Sequence, residues 1–202
     1  YLSNFFGHIL FAKKPEEMDP RYKGWKLDTL PILDDLVYQY STGSNGTETQ
    51  GHLLKTLAEQ SDAIVNACDP DREGEGIFRN WLKHECIELP VMRLWAPSLA
   101  QSDLHESWQK MKPSSEYDHL GEAQTLRAYS DYAVGMNSTR GYTVQAGGQL
   151  LPVGRVKTAT LSLIVTRDRE VEGFVPSSSY KLSGVWGGLP FDLVDGPAEK
   201  AD

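Results

Sequence analysis

The fold of this chain is decided by one stretch, Cys68-Asp69-Pro70-Asp71-Arg72-Glu73-Gly74-Glu75-Gly76. The residues just before it, 63–67, are mainly apolar and predict a short buried strand. Four apolar residues between positions 77 and 82 have the spacing of a helix that faces a core. The acidic residues therefore lie where a strand ends and a helix begins, which is where open α/β sheets place their functional groups.

The acidic side chains of this stretch repel one another and need a compensating charge. Two carboxylates about 4 Å apart repel by roughly 4 kcal/mol at an effective dielectric constant near 20, whereas a helix N-terminus returns only about 0.3–1 kcal/mol per acid. A bound cation resolves this conflict, and we expect Asp69, Asp71 and Glu73 to hold it. Oxygen ligands without a His or Cys partner favour Mg²⁺, with Mn²⁺ as a second option. We also expect Gly74 and Gly76 to let backbone approach a phosphate at the helix start. The alternative is a solvated, acid-rich helical turn without a function.

The first part of the chain has the alternating pattern of an α/β domain. Residues 1–11 predict a strand, and residues 14–35 predict an irregular surface excursion because they are rich in proline and charge. A polar turn or linker is expected at 41–50, followed by a short amphipathic helix over 53–58. After the acidic stretch and its helix, a strand is expected at 91–95. We therefore place a first domain at residues 1–97.

The remainder predicts a mainly helical domain, residues 98–175. Ser98 is a candidate N-cap for the first of its helices. A long helix is expected from Tyr117 to Gln145, bent near Gly135. Another is expected from Gly154 or Arg155 to Glu172, with its apolar side chains buried, among them Val156, Leu161, Leu163, Ile164 and Val165. From residue 176 to 202 the chain changes character, and the alternation over 180–186 predicts a strand at the start of a third, β-containing domain.

Charge and composition limit the partners of this chain. Its 202 residues carry a net charge of −8, yet residues 124–167 contain five basic residues and a single acid. Local charge, rather than the total, decides phosphate binding. No apolar run approaches the roughly 18 residues of a membrane span, no signal-peptide pattern is present, and two cysteines make no disulfide scaffold. We therefore expect a cytoplasmic, DNA-associated protein without a membrane partner.

A second group of candidate residues lies in the helical part. Gly154 introduces a helix start at which a guanidinium, an ammonium and a hydroxyl suit phosphate oxygens. The alternative for any one of these residues is helix capping or surface charge. The candidates for DNA contact in this group are Arg127, Asn137, Ser138, Arg140, Arg155, Lys157 and Thr158.

The acidic stretch, Asp-Pro-Asp-Arg-Glu-Gly-Glu, resembles the signature of the TOPRIM domain in type IA DNA topoisomerases. The passage after Gly7-His8 resembles the topoisomerase III-like enzymes in particular, through Asp19-Pro20-Arg21-Tyr22, Trp25 and Leu30-Pro31-Ile32. Three later clusters, at 127–131, 135–140 and 154–161, resemble the helical domain of the same family in identity and order. The step from Arg93 to Ser98 also resembles that family and adds both residues to the DNA-contact candidates. The similarity runs from Gly7 to Pro176.

This resemblance implies a Rossmann-like TOPRIM domain packed on a helical domain, with a groove for single-stranded DNA between them. It implies an ATP-independent reaction in which a tyrosine attacks DNA, holds the 5′-phosphate, lets another strand pass and reseals the break. It also implies that Mg²⁺ at the acids positions the DNA ends, chiefly for resealing. Relaxation of negative supercoils or decatenation would be the result.

Departures from the family pattern qualify this expectation. Lys157 stands where the family usually has glutamine, so phosphate affinity is preserved and any sequence preference is in doubt. The family's first strand, with its glutamate, is expected before Tyr1, and its nucleophilic tyrosine after Asp202. We therefore expect a portion of an enzyme that supplies metal-binding acids and a DNA groove but no nucleophile. Two alternatives stay open: a TOPRIM-type nuclease or primase, against which the helical clusters speak, and a non-catalytic single-stranded DNA-binding module.

Overall fold

The predicted strand and helix, joined by residues 67–71 (the acidic loop), are present in the structure, a computed structural model that describes residues 1–40, 46–177 and 183–192. The chain divides into two compact units, Tyr1–Arg155 and Val156–Asp202. The domain boundary predicted at 97 falls inside the first unit, and the boundaries at 97 and 175 stay predictions.

Short strands alternate with helices in the first part of the first unit. Strand β1 is followed by a helical turn, α1, by two 3₁₀ turns at Pro20–Tyr22 and Leu27–Thr29, and by β2. The helix α2, the strand β3, the helix α3 and the strand β4 then follow. Their bounds are Leu10–Ala12 for β1, Pro15–Met18 for α1, Tyr38–Tyr40 for β2, Thr47–Glu59 for α2, Ile64–Asn66 for β3, Arg72–Glu85 for α3 and Val91–Arg93 for β4.

Helices dominate after β4. The first unit continues with α4 (Gln101–Gln109), the two-residue strand β5 (Lys112–Pro113), a 3₁₀ turn (Ser114–Tyr117) and the long helix α5 (Asp118–Gln145). The helix α6 runs over Arg155–Glu172 and starts with the last residue of the first unit. The second unit then contains a hairpin of β6, Ser183–Trp186, and β7, Leu189–Asp192.

Within the described part of the chain, these strands form three small sheets. β1 pairs antiparallel with β2, and Leu10 lies opposite Tyr40. β3 pairs parallel with β4, with Ile64 opposite Val91, so α3 is the crossover helix of a β-α-β unit. β5 adds to the other edge of β4 in antiparallel orientation. Because β3 and α3 are joined by the acidic loop, this loop lies at the carboxyl end of a parallel strand, as predicted.

An apolar core fixes α3 against the sheets. Its buried members are Ile9, Leu10, Ala58, Phe78 and Trp81. The ring of Phe5 meets those of Phe78 and Trp81 edge-on, with centroids 6.3 and 5.5 Å apart, the geometry that aromatic pairs prefer. The prediction that the apolar side of the helix after the acidic loop faces a core is confirmed.

The N-terminal predictions need correction. The strand expected over 1–11 is shorter and begins later, at Leu10–Ala12. The excursion at 14–35 is mostly exposed, as expected, and the buried side chains of Tyr22 and Ile32 anchor it to the rest of the unit. Of the expected linker, residues 41–45 lie outside the described residues, and Thr47–Gln50 begin α2 instead.

The predicted ends of the helices agree with the structure better than the predicted burial of their side chains does. α5 and α6 have the expected extents, and α5 continues through Gly135. The first helix begins later than expected, at Gln101 with Ala100 as its N-cap. The apolar side chains expected to be buried on α6 are mostly exposed, since no described element of the second unit covers Leu161, Leu163 or Ile164. The expected strand at 180–186 is present over Ser183–Trp186, and residues 180–182 lie outside the described part.

Among the described residues, no helix combines the length and the apolar character that crossing a membrane requires.

Candidate metal and nucleic-acid site

The acidic loop presents two exposed aspartates at the start of α3. Asp71 is the N-cap of this helix, and its Oδ1 accepts a hydrogen bond of 2.7 Å from the backbone N–H of Gly74. The backbone N–H of Asp71 donates to the carbonyl of Asp69 at 2.8 Å. Both carboxylates face solvent. The cap explains locally why the strand, loop and helix follow one another at this point.

Glu73 is held by two partners from other parts of the unit. Its Oε1 lies 2.7 Å from Nε2 of His8, and its Oε2 lies 3.9 Å from Nη1 of Arg127. These contacts connect the N-terminal segment and α5 to the first turn of α3. The carboxylate of Glu73 therefore already has partners within the protein, whereas a carboxylate free to bind a metal ion would not.

The predicted set of three ligands does not form a cluster. Within residues 1–40, 46–177 and 183–192, no three His, Cys, Asp or Glu side chains are placed to hold one metal ion. The physical reason is that Glu73 turns toward His8 and Arg127. Asp69 and Asp71 still fit a Mg²⁺ ion, which typically takes one or two carboxylates and keeps several waters. No hydrogen bond or ion pair from another described side chain occupies Asp69, and the cap uses one oxygen of Asp71.

The fourth acid of the stretch has a different environment. Glu75 is fully buried, and its carboxylate is shared by Arg93 and Arg79 through contacts of 2.5 and 2.8 Å to their Nε atoms. The Nδ2 of Asn66 also donates to it at 3.3 Å. Two guanidinium groups thus compensate a carboxylate without solvent access, and this acid belongs to the interior.

Arg93 requires a correction. We expected it to contact DNA, but its side chain is 0% exposed. Its guanidinium donates to backbone carbonyls of the acidic loop, and it lies over the ring of Trp95 at 5.0 Å. We therefore do not retain Arg93 as a DNA contact.

Two glycines have a packing role that the sequence did not indicate. A Cβ on Gly74 would lie 2.3 Å from the carbonyl oxygen of Asp69, and one on Gly76 would lie 2.3 Å from Cγ of Gln124. The first glycine lets the loop backbone close on the helix start, and the second lets α5 approach α3. We had expected both to make room for a phosphate, and the structure gives an internal reason for each.

A row of alternating charges extends from the acidic loop along α5. Nε of Arg127 lies 3.8 Å from one oxygen of Asp131, and Nε of Arg155 donates to the other at 3.0 Å. The side chains of Arg127 and Arg155 are 38% and 57% exposed. Both guanidinium groups are thus oriented by an acid and remain accessible to a phosphate. The structure brings the predicted residues Glu73, Arg127 and Arg155 into one charged row.

Two other predicted DNA contacts are engaged internally. The side-chain amide of Asn137 clamps the backbone of Ile32, accepting from its N–H at 2.6 Å and donating to its carbonyl at 2.8 Å. Arg140 is buried, and its guanidinium donates to the carbonyl of Tyr22 at 2.8 Å and to Glu16 at 2.5 Å. Both residues anchor the 14–35 excursion on α5. We correct their assignment from DNA contact to packing.

The remaining predicted DNA contacts lie on α5, just before α4 and on α6. Ser138 is half-buried on α5. Ser98 accepts a hydrogen bond of 3.1 Å at its Oγ from the N–H of Ala100, so it shapes the entry to α4 without capping it. Lys157 and Thr158 are exposed on α6 in the second unit.

Sequence reasoning missed the buried ion pairs and the role of His8. The pairing of Glu75 with Arg79 follows the i, i+4 spacing of a helix, which the sequence does contain. The contacts of Arg93 and His8 join residues far apart in the chain, and no local pattern indicates them.

Comparisons with known proteins show similarity to DNA topoisomerases. A family model described as DNA topoisomerase matches residues 115–190. The chain is similar to DNA topoisomerase 3 of Staphylococcus haemolyticus, with 34% identity over 93% of this chain and 26% of the relative. DNA topoisomerase 3 of Bacillus subtilis is 31% identical over 94% of this chain and 26% of the relative. DNA topoisomerase 1 of Bacillus anthracis is 35% identical over 87% of this chain and 20% of the relative. The chain therefore spans about a quarter of the length of these relatives or less.

Proposed function

Because this chain belongs to the type IA DNA topoisomerase family, we propose that its protein is an ATP-independent DNA topoisomerase of the topoisomerase III kind. It would cut one DNA strand through a tyrosine that keeps the 5′-phosphate, pass another strand and reseal the break. The result would be relaxation of negative supercoils or decatenation. The protein would act in the cytoplasm. The observation that supports this most is the contact between Glu73 of α3 and Arg127 of α5, which joins the acidic loop to a row of accessible arginines.

Single-stranded DNA is the proposed substrate of the charged row. The guanidinium groups of Arg127 and Arg155 are held by Asp131 and remain partly exposed, so a phosphate can replace the acid without reorganising the helix. Contacts of this kind bind the backbone and carry no sequence information. Ser98, Ser138, Lys157 and Thr158 remain proposed contacts.

Asp69 and Asp71 would hold the Mg²⁺, with Mn²⁺ as a substitute. The ion would supply positive charge that neutralises a phosphate and positions the DNA ends, chiefly for resealing. The residues of the chain contribute the rest. Asp71 keeps α3 capped, and Glu73 is positioned between His8 and Arg127 beside the loop.

The proposal is tested by relaxation of negatively supercoiled plasmid by the full-length protein with Mg²⁺ and no ATP. Asp69→Asn and Asp71→Asn should impair relaxation at ordinary Mg²⁺ concentrations. Asparagine caps a helix about as well as aspartate, so the Asp71 variant loses charge and not the cap. Asp103→Asn, in the first turn of α4, is the matched control and should leave relaxation unchanged.

Other outcomes would favour other functions. Unchanged relaxation in both loop variants would remove the metal assignment. Cleavage that releases free DNA ends without resealing would favour a TOPRIM-type nuclease. A salt titration with single- and double-stranded DNA tests the substrate, and equal, weak binding of both would contradict a single-strand groove.

A further inference from the structure

We propose that Arg93 is a positioning residue for the metal-binding loop: it fixes the backbone that carries Asp69 and thereby sets the affinity of the loop for a divalent ion. This inference rests on the metal role of Asp69 proposed above. It gives a function to a residue that is too deeply buried to contact DNA.

Arg93 gathers the carbonyls at the end of β3 around one guanidinium group. Its Nη1 lies 3.1 Å from the carbonyl oxygen of Asn66 and 2.6 Å from that of Cys68. Its Nη2 donates to the carbonyl of Asp69 at 2.6 Å. These carbonyls belong to the last residue of β3 and to two residues of the acidic loop, Cys68 and Asp69. The path of the backbone into Asp69 is therefore fixed from inside the protein.

The chemistry of this position calls for arginine. The guanidinium has five N–H donors in a planar fork, so it reaches several carbonyls at once and still presents Nε to an acid. Nε lies 2.5 Å from the buried Glu75, which compensates the charge. A lysine ammonium keeps the charge, but its donors radiate from a single nitrogen and cannot span the same carbonyls.

Further contacts hold this assembly in place. Glu75 is also bound by Arg79, whose Nη1 donates to Asp118 at 2.7 Å and whose Nη2 donates to the carbonyl of Ser114 at 2.8 Å. The carbonyl of Asp69 is confined on another side by Gly74, where a Cβ would lie 2.3 Å away. Asp69 is thus held through its backbone, while its carboxylate stays exposed.

Positioning through the backbone has a measurable consequence. Partners that orient metal ligands typically account for about 10–100-fold in metal affinity. If Arg93 fixes Asp69, its replacement should weaken ion binding while the carboxylates themselves are intact. Excess metal should then restore function, which it cannot do for a protein that has lost its fold.

The test uses Arg93→Lys in the full-length protein, with Mn²⁺ binding measured by electron paramagnetic resonance. We expect Mn²⁺ affinity to fall about 10–100-fold. The half-saturating Mg²⁺ concentration for plasmid relaxation should rise, with the rate recovered at high Mg²⁺. Arg140→Lys is the matched control: Arg140 is also buried between a carboxylate and a backbone carbonyl but contacts neither the loop nor Glu75, so the Mn²⁺ affinity of this variant should be unchanged. A cooperative thermal transition for each variant establishes that it is folded.

Each other outcome is decisive. Unchanged Mn²⁺ affinity in a folded Arg93→Lys variant overturns the proposal, as does an equal loss in Arg140→Lys. If Arg93→Lys does not fold, Glu75→Gln replaces it and should lower Mn²⁺ affinity with recovery at high Mg²⁺. Failure of both variants to fold assigns the pair to stability alone and also overturns the proposal. Failure of the proposed function is distinguishable, because the unaltered protein would then show no Mn²⁺ binding that depends on Asp69 and Asp71.

Discussion

Arg127 and Arg140 lie on the same helix, and the sequence alone assigned both to DNA. Their surroundings differ: the side chain of Arg140 is 2% exposed and paired with Glu16, whereas that of Arg127 is accessible to solvent. A positive charge contributes to phosphate binding only if a phosphate can reach it. The two residues therefore provide a matched pair of variants.

We expect Arg127→Ala to weaken single-stranded DNA binding and to lower the slope of log affinity against log salt by about 0.7. Its free energy of unfolding should change by less than about 0.5 kcal/mol, as for most surface changes. Arg140→Ala should instead lower the free energy of unfolding by about 1–3 kcal/mol, because the buried carbonyl of Tyr22 loses its donor. Salt-dependent binding titrations and urea denaturation measure the two quantities. A salt slope reduced more by Arg140→Ala than by Arg127→Ala would contradict this assignment.

At the scale of elements, the contact between α3 and α5 brings the acidic loop and the arginines into one unit. Gly76 makes this contact close, since its Cα lies against the side chain of Gln124. Gln124 is buried, and its Oε1 has no hydrogen-bond partner within the described part of the chain. The pair therefore allows a test of the helix contact by a double-mutant cycle.

Gly76→Ala should destabilise the protein by about 1–3 kcal/mol, the usual cost of overpacking. In a Gln124→Ala background the same change should be neutral or should stabilise by up to about 1 kcal/mol, because alanine favours the helix and the obstacle is gone. Urea denaturation of the four proteins gives the coupling free energy. Additive effects of the two substitutions would show that the helices do not approach each other through this glycine.

Local patterns predicted the elements well and the contacts between them poorly. Apolar spacing located β3, α3 and β4, and a long stretch without proline located α5. The use of Asn137 and Arg140 was not predictable, because the bond from Asn137 to Ile32 spans 105 residues. The same residue types suit a phosphate or a buried backbone, and only the fold decides which of them is near.

At the scale of the whole molecule, stability depends on pH through a buried acid that joins three elements. Glu85 of α3 accepts a hydrogen bond from Tyr40 of β2 and pairs with Lys55 of α2 at 3.1 Å. Burial raises the pKa of Glu85, but the bonds from Tyr40 and Lys55 outweigh burial, and its pKa lies below the ordinary value of 4.5. Its stabilising contribution is therefore complete above pH 4.5 and is lost as the pH falls through the lowered pKa.

Glu85→Gln should lower the free energy of unfolding at pH 7 by about 1–3 kcal/mol, the range for hydrogen bonds to a charged group. The difference from the unaltered protein should shrink as the pH falls below 4.5 and disappear below the lowered pKa, where the carboxylate is protonated in the folded state as well. Urea denaturation at a series of pH values, from neutral to the lowest pH at which the protein stays folded, measures this difference in the free energy of unfolding. Glu88→Gln, at an exposed position near the end of the same helix, is the control and should have little effect at any pH. A constant difference for Glu85→Gln across the range would contradict the lowered pKa.

The room that Gly74 leaves for the carbonyl of Asp69 makes the number of residues between them as decisive as their identity. Adding one residue to this turn would rotate the glycine by roughly 100° around α3 and would present a side chain to the carbonyl instead. The turn therefore tolerates exchange of its side chains but no change of length. Variants of this loop must therefore keep the spacing between Asp69 and Gly74, whichever side chains they carry.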